Sequence, residues 1–78
     1  MYDIVKVFDM KDEVGKRLLD CRKALNLTQK QVAEVLGVAQ PVYQRFEKGI
    51  FECNYDQLVK LSDLFGVSVD YLLGKADI

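Results

Sequence analysis

The sequence contains no histidine, only two cysteines and no long run of apolar residues. Because histidine is missing and no serine or cysteine stands beside a plausible base, acid–base or nucleophilic catalysis has few candidate residues in this sequence. Cys21 and Cys53 are 32 positions apart, without CxxC spacing. This spacing indicates neither a metal site nor a disulfide framework. A protein without disulfides is typical of a reducing compartment. We therefore expect no enzymatic activity, no metal or other cofactor and no small-molecule ligand.

The apolar residues are dispersed rather than concentrated in one segment. The longest apolar runs are only a few residues, too short to span a bilayer. The first ten residues, MYDIVKVFDM, lack the basic start and apolar centre of a signal peptide. Half of the 78 residues are hydrophobic, which suffices for one compact core. We expect a single domain at residues 12–76, an N-terminal extension at residues 1–11, no membrane contact and a cytoplasmic location.

The net charge of −1 is unevenly distributed. Residues 22–49 carry five basic and two acidic side chains, a balance of +3, and the rest of the chain carries six basic and ten acidic ones, a balance of −4. Because DNA binding depends on the charge of the contacting surface rather than on the net charge of the chain, the central segment is compatible with a nucleic-acid partner. The excess is modest, so non-specific affinity for DNA should be weak.

Apolar spacing predicts three helices in the first two thirds of the chain. Apolar residues recur every three or four positions between Val14 and Leu25, which predicts a first helix capped by Asp9 or Asp12 and ended by Asn26. Thr28, with Gln31 as its capping-box partner, begins a second helix that stops at Gly37. A third helix is predicted from about residue 40 to residue 48.

Two further helices are predicted to follow, the second of them short. Asn54 or Asp56 can begin the fourth, which Gly66 ends, and Ser68 caps a fifth that stops at Gly74. Their expected inward-facing residues are Leu58, Leu61, Leu64, Phe65, Val69, Leu72 and Leu73. The predicted fold class is all-α with five short helices.

The first eight residues leave two alternatives open. They alternate loosely between apolar and polar types, so they can form a short β-strand or a flexible tail. In the strand alternative, the segment would pair with a symmetry-related copy or cover Leu19.

The second and third helices, joined by a tight glycine turn, form the unit that presents its second helix to the major groove of DNA. In the third helix, Tyr43 and Phe46 are expected to face inward and polar residues outward. Glutamine can pair with adenine and arginine with guanine, each pair contributing about 1–3 kcal/mol of base discrimination. At the start of the second helix, Gln29 is placed to contact phosphate. The predicted DNA-contacting residues are Gln29, Gln40, Pro41, Val42, Gln44, Arg45 and Lys48.

Residues 14–74 resemble the lambdoid phage repressors, the Cro proteins and the related Xre-type bacterial regulators. The matching segments are LTQ (27–29), VAEVLGV (32–38), YQRFEKG (43–49) and LVKLSDLFGVSVDYLLG (58–74). The resemblance implies a five-helix lambda-repressor-like domain, phosphate contact at Gln29 and base reading at Gln40, Pro41, Gln44 and Arg45. It also implies a structural ion pair between Arg22 and Glu47. The position of Glu47 next to Phe46 independently places it on the core side of the third helix, where a charge needs a partner.

Three features depart from the family pattern. Ala39 stands where serine or threonine is usual, so the third helix lacks a side-chain cap, a loss of about 1 kcal/mol. Pro41 and Val42 replace polar residues, and the segment Ile50–Glu52 lacks the basic residues that often follow the third helix. The lack of basic side chains after the third helix weakens the expected contact with phosphate, although the backbone N–H groups of Gly49 and Ile50 can still provide one.

Two functions follow from these observations. The first is transcriptional repression in a bacterium or phage, at the nucleoid, by a homodimer on double-stranded DNA with half-sites about 34–36 Å apart. The second is a protein-interaction module, such as an antitoxin-like partner binder, that keeps the fold with little or no DNA binding. The acidic balance and the apolar Ile50 and Phe51 support this second function.

Overall fold

The part of the chain that the structure describes folds into five α-helices, as predicted. The computed structural model describes the backbone of residues 4–77 and the side chains of residues 11–77. Within this part of the chain there is no β-strand. The helices are α1 (Ile4–Ala24), α2 (Gln29–Leu36), α3 (Gln40–Glu47), α4 (Tyr55–Phe65) and α5 (Val69–Leu72). The prediction of an all-α, five-helix domain is confirmed.

The N-terminal segment departs from the expected strand or tail. Helix α1 already begins at Ile4, so residues 4–8 are helical and Asp9 and Asp12 lie inside the helix rather than capping it. A short apolar run fits both the strand and the helix period, and here Ile4 and Val7 continue the helical spacing that leads to Val14. Residues 1–3 and the side chains of residues 4–10 lie outside the described residues, so pairing of this segment with a second copy or with Leu19 stays a prediction. Helix α1 runs across the boundary predicted between residues 11 and 12, which also stays a prediction.

The start of α2 has the predicted capping box. The Gln31 backbone N–H donates to Thr28 Oγ1 at 3.1 Å, and the Thr28 N–H donates to Gln31 Oε1 at 2.8 Å. At its other end, Gly37 has φ 71°, the left-handed conformation that favours glycine. This residue lets the chain turn sharply from α2 into α3.

The later helices settle the alternatives that the sequence left open. Asn54 rather than Asp56 caps α4, in a second capping box with Gln57. Ser68 Oγ accepts from the Tyr71 N–H at 2.9 Å and so caps α5. Helix α3 ends at Glu47, one residue before the predicted end, and Lys48 is its C-cap.

The core draws on all five helices. Leu18 of α1, Tyr43 of α3 and Leu72 of α5 are fully buried. Leu25 was expected on the inner face of α1 but is 47% exposed, because it follows the last helical residue and no longer shares the orientation of that face. Leu64, Val69 and Leu73 pack against the core while staying partly exposed. Among residues 11–77, the buried apolar residues are Leu18, Val32, Ala33, Leu36, Tyr43, Phe46, Leu58, Leu61, Phe65 and Leu72.

A glycine sets how closely α1 approaches α3. A Cβ atom on Gly15 would collide with the backbone carbonyl oxygens of Phe46 and Glu47, the latter contact being the tighter one. Since both obstacles are backbone, neither can rotate away. The absence of a side chain at Gly15 thus fixes the end of α3 against α1.

The cysteines and the acidic side chains that the structure describes form no cluster of metal ligands. Among residues 11–77, no group of three or more histidine, cysteine, aspartate or glutamate side chains is arranged to hold a metal ion. Cys21 and Cys53 are free thiols. Burial raises the pKa of Cys21 and raises that of Cys53 to about 12, which keeps both thiols protonated near neutral pH. None of the described helices is both long enough and apolar enough to cross a membrane.

Candidate nucleic-acid interface

Helix α3 has one buried and one exposed side. Tyr43 and Phe46 are 0% and 4% exposed, and their rings meet edge to face with centroids 6.3 Å apart. Gln40 and Lys48, in contrast, are exposed. The buried rings anchor the helix in the core, so the opposite side is presented to solvent in a fixed orientation.

A paired carboxylate joins the end of α3 to α1. Arg22 Nε donates to Glu47 Oε2 at 2.6 Å, and Arg22 Nη2 donates to Glu47 Oε1 at 3.1 Å. The third guanidinium nitrogen, Nη1, donates to the Leu27 carbonyl at 3.0 Å. The Glu47 side chain is 4% exposed and that of Arg22 is 14% exposed. The structure therefore brings together the two residues that were expected to pair, in a two-point contact largely withdrawn from water.

The environment of Glu47 favours its charged form. Burial alone would raise the pKa of this carboxyl, but hydrogen bonds from Arg22 and Gln29 outweigh burial and lower the pKa below its usual value. A carboxyl whose pKa is lower in the folded state stabilises the fold above its unfolded-state pKa. That stabilisation disappears as the pH falls through the folded-state pKa. Near neutral pH, Glu47 is therefore an ionised acceptor.

Tyr43 is a core residue rather than a base-stacking one. Its hydroxyl is buried and has no hydrogen-bond partner among the described residues. Burial, followed by the neighbouring Glu47 carboxylate, raises the pKa of this phenol well above its ordinary value. The ring is thus a neutral packing element beneath the exposed side of α3.

Two glutamine amides extend the buried ion pair to the surface. Gln29, the first residue of α2, donates from Nε2 to Glu47 Oε1 at 3.0 Å. Gln40, the first residue of α3, lies with Nε2 at 3.5 Å from Gln29 Oε1, a long hydrogen bond. The chain Arg22–Glu47–Gln29–Gln40 thus connects α1, the N-terminus of α2 and both ends of α3. It orients two amides at the N-terminal ends of adjacent helices.

The remaining predicted contact residues lie outside this hydrogen-bonded chain. Pro41 is exposed in the first turn of α3, and Val42 packs against the margin of the core. Gln44 is half-buried, and Lys48 is exposed at the end of the helix. Arg45 is exposed and has its guanidinium carbon 5.4 Å from the centroid of the Phe51 ring. Pro41, Arg45 and Lys48 are thus exposed like Gln40, but none of them shares its hydrogen-bond partner.

Helix α3 begins without a side-chain cap, as predicted. Ala39 occupies the N-cap with extended backbone angles, φ −70° and ψ 148°, and provides no side-chain hydrogen bond. Caps on α2, α4 and α5 do provide one. Helix α3 is thus held by its packing and by Glu47 rather than by its own cap.

Comparison with known proteins agrees with this geometry. A family model described as helix-turn-helix matches residues 18–72. The chain belongs to the helix-turn-helix family. This family comprises DNA-binding proteins without enzymatic activity, in agreement with the expectation that the chain is not an enzyme.

Several relatives of the family are similar to the chain in sequence. The HTH-type transcriptional regulator ImmR of Bacillus subtilis is 40% identical over 65 residues, which are 83% of this chain and 51% of that protein. The uncharacterized HTH-type transcriptional regulator YobD of Bacillus subtilis is 44% identical over 62 residues, 80% of this chain and 55% of that protein. The cryptic phage CTXphi transcriptional repressor RstR of Vibrio cholerae is 35% identical over 63 residues, 81% of this chain and 56% of that protein. The chain spans about half the length of the relatives that it matches.

Sequence reasoning missed two residues of this region. Gly15 lies on α1, far along the chain from the helix it supports, and a glycine within a helical pattern gives no sign of what it packs against. Phe51 departs from the family pattern as an apolar residue, but the sequence does not predict its contact with Arg45. An aromatic residue shortly after an arginine-bearing helix is the only available signal, and it is a weak one.

Proposed function

We propose that this helix-turn-helix chain is a sequence-specific DNA-binding transcriptional repressor that reads the major groove with α3. The observation that carries the proposal is the continuous link from the buried Arg22–Glu47 pair through Gln29 to Gln40. Such a link holds polar side chains at a helix N-terminus in place before any ligand arrives, and preorganised contacts lose less entropy on binding.

Each predicted contact residue has a role that its chemistry supports. In this proposal Gln40 pairs with an adenine, and Gln29, at the N-terminus of α2, contacts a backbone phosphate. Arg45 pairs with a guanine and Lys48 contacts phosphate. Gln44 contributes a second amide to the same side. Pro41 and Val42 supply apolar surface, and Val42 at the core margin can touch a thymine methyl.

Assembly and regulation follow from the same proposal. A homodimer bound to a pseudo-palindromic operator would place two copies of α3 about 34–36 Å apart. The repressor role and an origin in a phage or another mobile element are supported by relatives whose names carry these words, among them the cryptic phage CTXphi transcriptional repressor RstR. A bacterial cytoplasmic location at the nucleoid belongs to this proposal as well.

Fluorescence anisotropy tests the proposal. Labelled duplexes containing the DNA upstream of the protein's own gene are compared with shuffled duplexes of equal composition, at a fixed salt concentration because phosphate contacts make affinity salt-dependent. We expect the upstream duplex to bind at least tenfold more tightly and Gln40→Ala to reduce this preference. Equal affinity for both duplexes, unchanged by Gln40→Ala, would refute sequence-specific reading and favour the protein-interaction module.

A further inference from the structure

Arg45 is the one predicted base-reading residue whose charged group meets an aromatic ring. Its guanidinium carbon lies 5.4 Å from the centroid of Phe51, within the range of a cation–π interaction. Both side chains are exposed, Phe51 by 42%. The contact therefore lies on the surface of the protein, where Arg45 remains accessible to a ligand.

The backbone after α3 brings Phe51 back to Arg45. Gly49, with φ 75°, reverses the chain, and its N–H donates to the Phe46 carbonyl at 3.2 Å. The N–H groups of Ile50 and Phe51 both donate to the carbonyl of Arg45, at 2.9 and 3.3 Å. This is the pattern of a Schellman cap, extended by one further hydrogen bond. The residue that carries the guanidinium thus also fixes the backbone of the residue that contacts it.

The Phe51 ring is positioned from its other side by the core. It meets the buried ring of Phe46 edge to face, with centroids 6.5 Å apart and an interplanar angle of 65°. Phe46 is 4% exposed. The series Phe46–Phe51–Arg45 therefore runs from the core to the exposed side of α3, at the end of the helix opposite to Gln40.

We propose that Phe51 is a positioning residue that restricts the Arg45 guanidinium to one orientation and thereby sharpens the base preference of Arg45. An arginine side chain is flexible, and a guanidinium held over a ring samples fewer rotamers. Bidentate pairing with guanine needs the planar fork in one orientation, so restriction favours the correct base over the others. This inference rests on the proposed function, because it concerns how Arg45 discriminates within a DNA site.

The contact itself can be tested without DNA. The ring current of Phe51 should displace the NMR signals of the Arg45 side-chain methylenes and Hε. Phe51→Leu should return these signals to the positions of a solvated arginine, and Phe51→Tyr should keep them displaced because the ring is retained. Arg45 signals that are already unshifted in the parent protein would overturn the proposal.

A double-mutant cycle tests the effect on recognition. Affinities for a bound duplex and for the same duplex changed at the Arg45-dependent base pair are measured for the parent, Arg45→Ala, Phe51→Leu and the double variant. We expect Phe51→Leu to reduce discrimination at that base pair by about fivefold, as an exposed cation–π contact allows. It should change nothing further in the Arg45→Ala background. Phe51→Tyr should retain the parent discrimination, and Ile50→Ala, a neighbouring exposed apolar residue, should behave as the parent.

The outcomes separate this inference from the proposed function. If no duplex is preferred and Arg45→Ala changes no affinity, the DNA-reading function fails. If a duplex is preferred and Arg45→Ala removes the preference, but Phe51→Leu has no effect or an equal effect in both backgrounds, the function stands and the role of Phe51 is refuted. Urea unfolding of each variant shows that the proteins compared are folded, so a loss from unfolding is not mistaken for a loss of discrimination.

Discussion

The two sides of α3 differ in how their residues are held. On the buried side, Tyr43 and Phe46 are enclosed by the core, and Glu47 is paired with Arg22. On the exposed side, Gln40 has one long side-chain contact and Arg45 has one ring contact. The buried side fixes where the helix lies, and the exposed side leaves Gln40 and Arg45 accessible to a ligand.

Because of this contrast, we expect substitutions that affect stability and substitutions that affect recognition to be separable in this domain. A change on the buried side removes packing or leaves a charge unpaired, which costs folding free energy. A change on the exposed side removes groups that water can replace, so folding is little affected. Gln29 of α2 connects the two sides of α3, because it contacts both Glu47 on the buried side and Gln40 on the exposed side.

Removing Arg22 should have the largest effect. Arg22→Ala leaves the Glu47 carboxylate, 4% exposed, without its charged partner. Unpaired buried charges of this kind typically destabilise a protein by about 3–5 kcal/mol. Urea unfolding followed by circular dichroism measures the loss. The matched control is Lys60→Ala, which breaks the exposed pair with Asp56 at 3.3 Å and should cost about 0.5 kcal/mol or less. Similar losses in the two variants would show that the buried side is not anchored by this pair.

Adding a side chain at Gly15 should also destabilise the fold. Alanine is ordinarily the better residue inside a helix, by about 0.5–1 kcal/mol. At this position its methyl group would meet the carbonyls of Phe46 and Glu47, so α3 must shift away from α1. We expect Gly15→Ala to lower the free energy of unfolding by about 1–3 kcal/mol, measured by urea unfolding followed by circular dichroism. Lys16→Ala, at the adjacent exposed position, serves as the control. A stabilised Gly15→Ala protein would contradict the close packing of the two helices.

Changing Gln40 should affect DNA binding without affecting folding. Gln40→Ala removes the amide proposed to pair with adenine, and such pairs contribute about 1–3 kcal/mol of discrimination. Because Gln40 is exposed, the midpoint of urea unfolding should stay where it is. Anisotropy with matched and substituted duplexes measures the discrimination. Lys30→Ala, an exposed change on α2, should leave base preference intact. If Gln40→Ala unfolds at lower urea, the separation of the two sides is not valid at this residue.

Providing the missing cap should have the smallest effect, and in the opposite direction. Ala39 has the extended backbone of an N-cap but no oxygen to accept a hydrogen bond from α3. Ala39→Ser supplies that oxygen and should stabilise the protein by about 1 kcal/mol. The increase is measured as the shift of the thermal midpoint relative to the parent. Ala39→Val, which offers no acceptor, is the control and should give no gain.

Much of the fold could be predicted because its signals are local. Thr28 with Gln31 and Gly37 mark the two ends of α2 within a few residues of sequence. The inward positions of Tyr43 and Phe46 follow from helical spacing. The sequence does not predict the start of α1 because the apolar residues between Ile4 and Phe8 fit both secondary-structure periods. It does not predict the exposure of Leu25 because the helix ends just before that residue.

For the site, the sequence predicts which residues are candidates but not how they contact one another. The candidate residues of α3 follow from its polar side and from a resemblance, and they remain proposals. Their linkage does not follow from either, because a hydrogen bond between Gln29 and Glu47 depends on how α2 and α3 are packed. The same is true of Phe51 over Arg45 and of Gly15 against α3. Such contacts depend on distances between elements, which residue spacing along one element does not contain.

In vitro selection of bound duplexes from a random pool tests the central claim most directly. If α3 reads DNA from its exposed side, the parent protein should enrich a defined sequence. As a dimer, it should enrich two half-sites related by a dyad and about 10–10.5 base pairs apart. Gln40→Ala should then lose the preference at one position of each half-site and keep the rest. A folded parent protein that enriches no sequence, or a Gln40→Ala variant that enriches the same sequence with the same strength, would contradict the account.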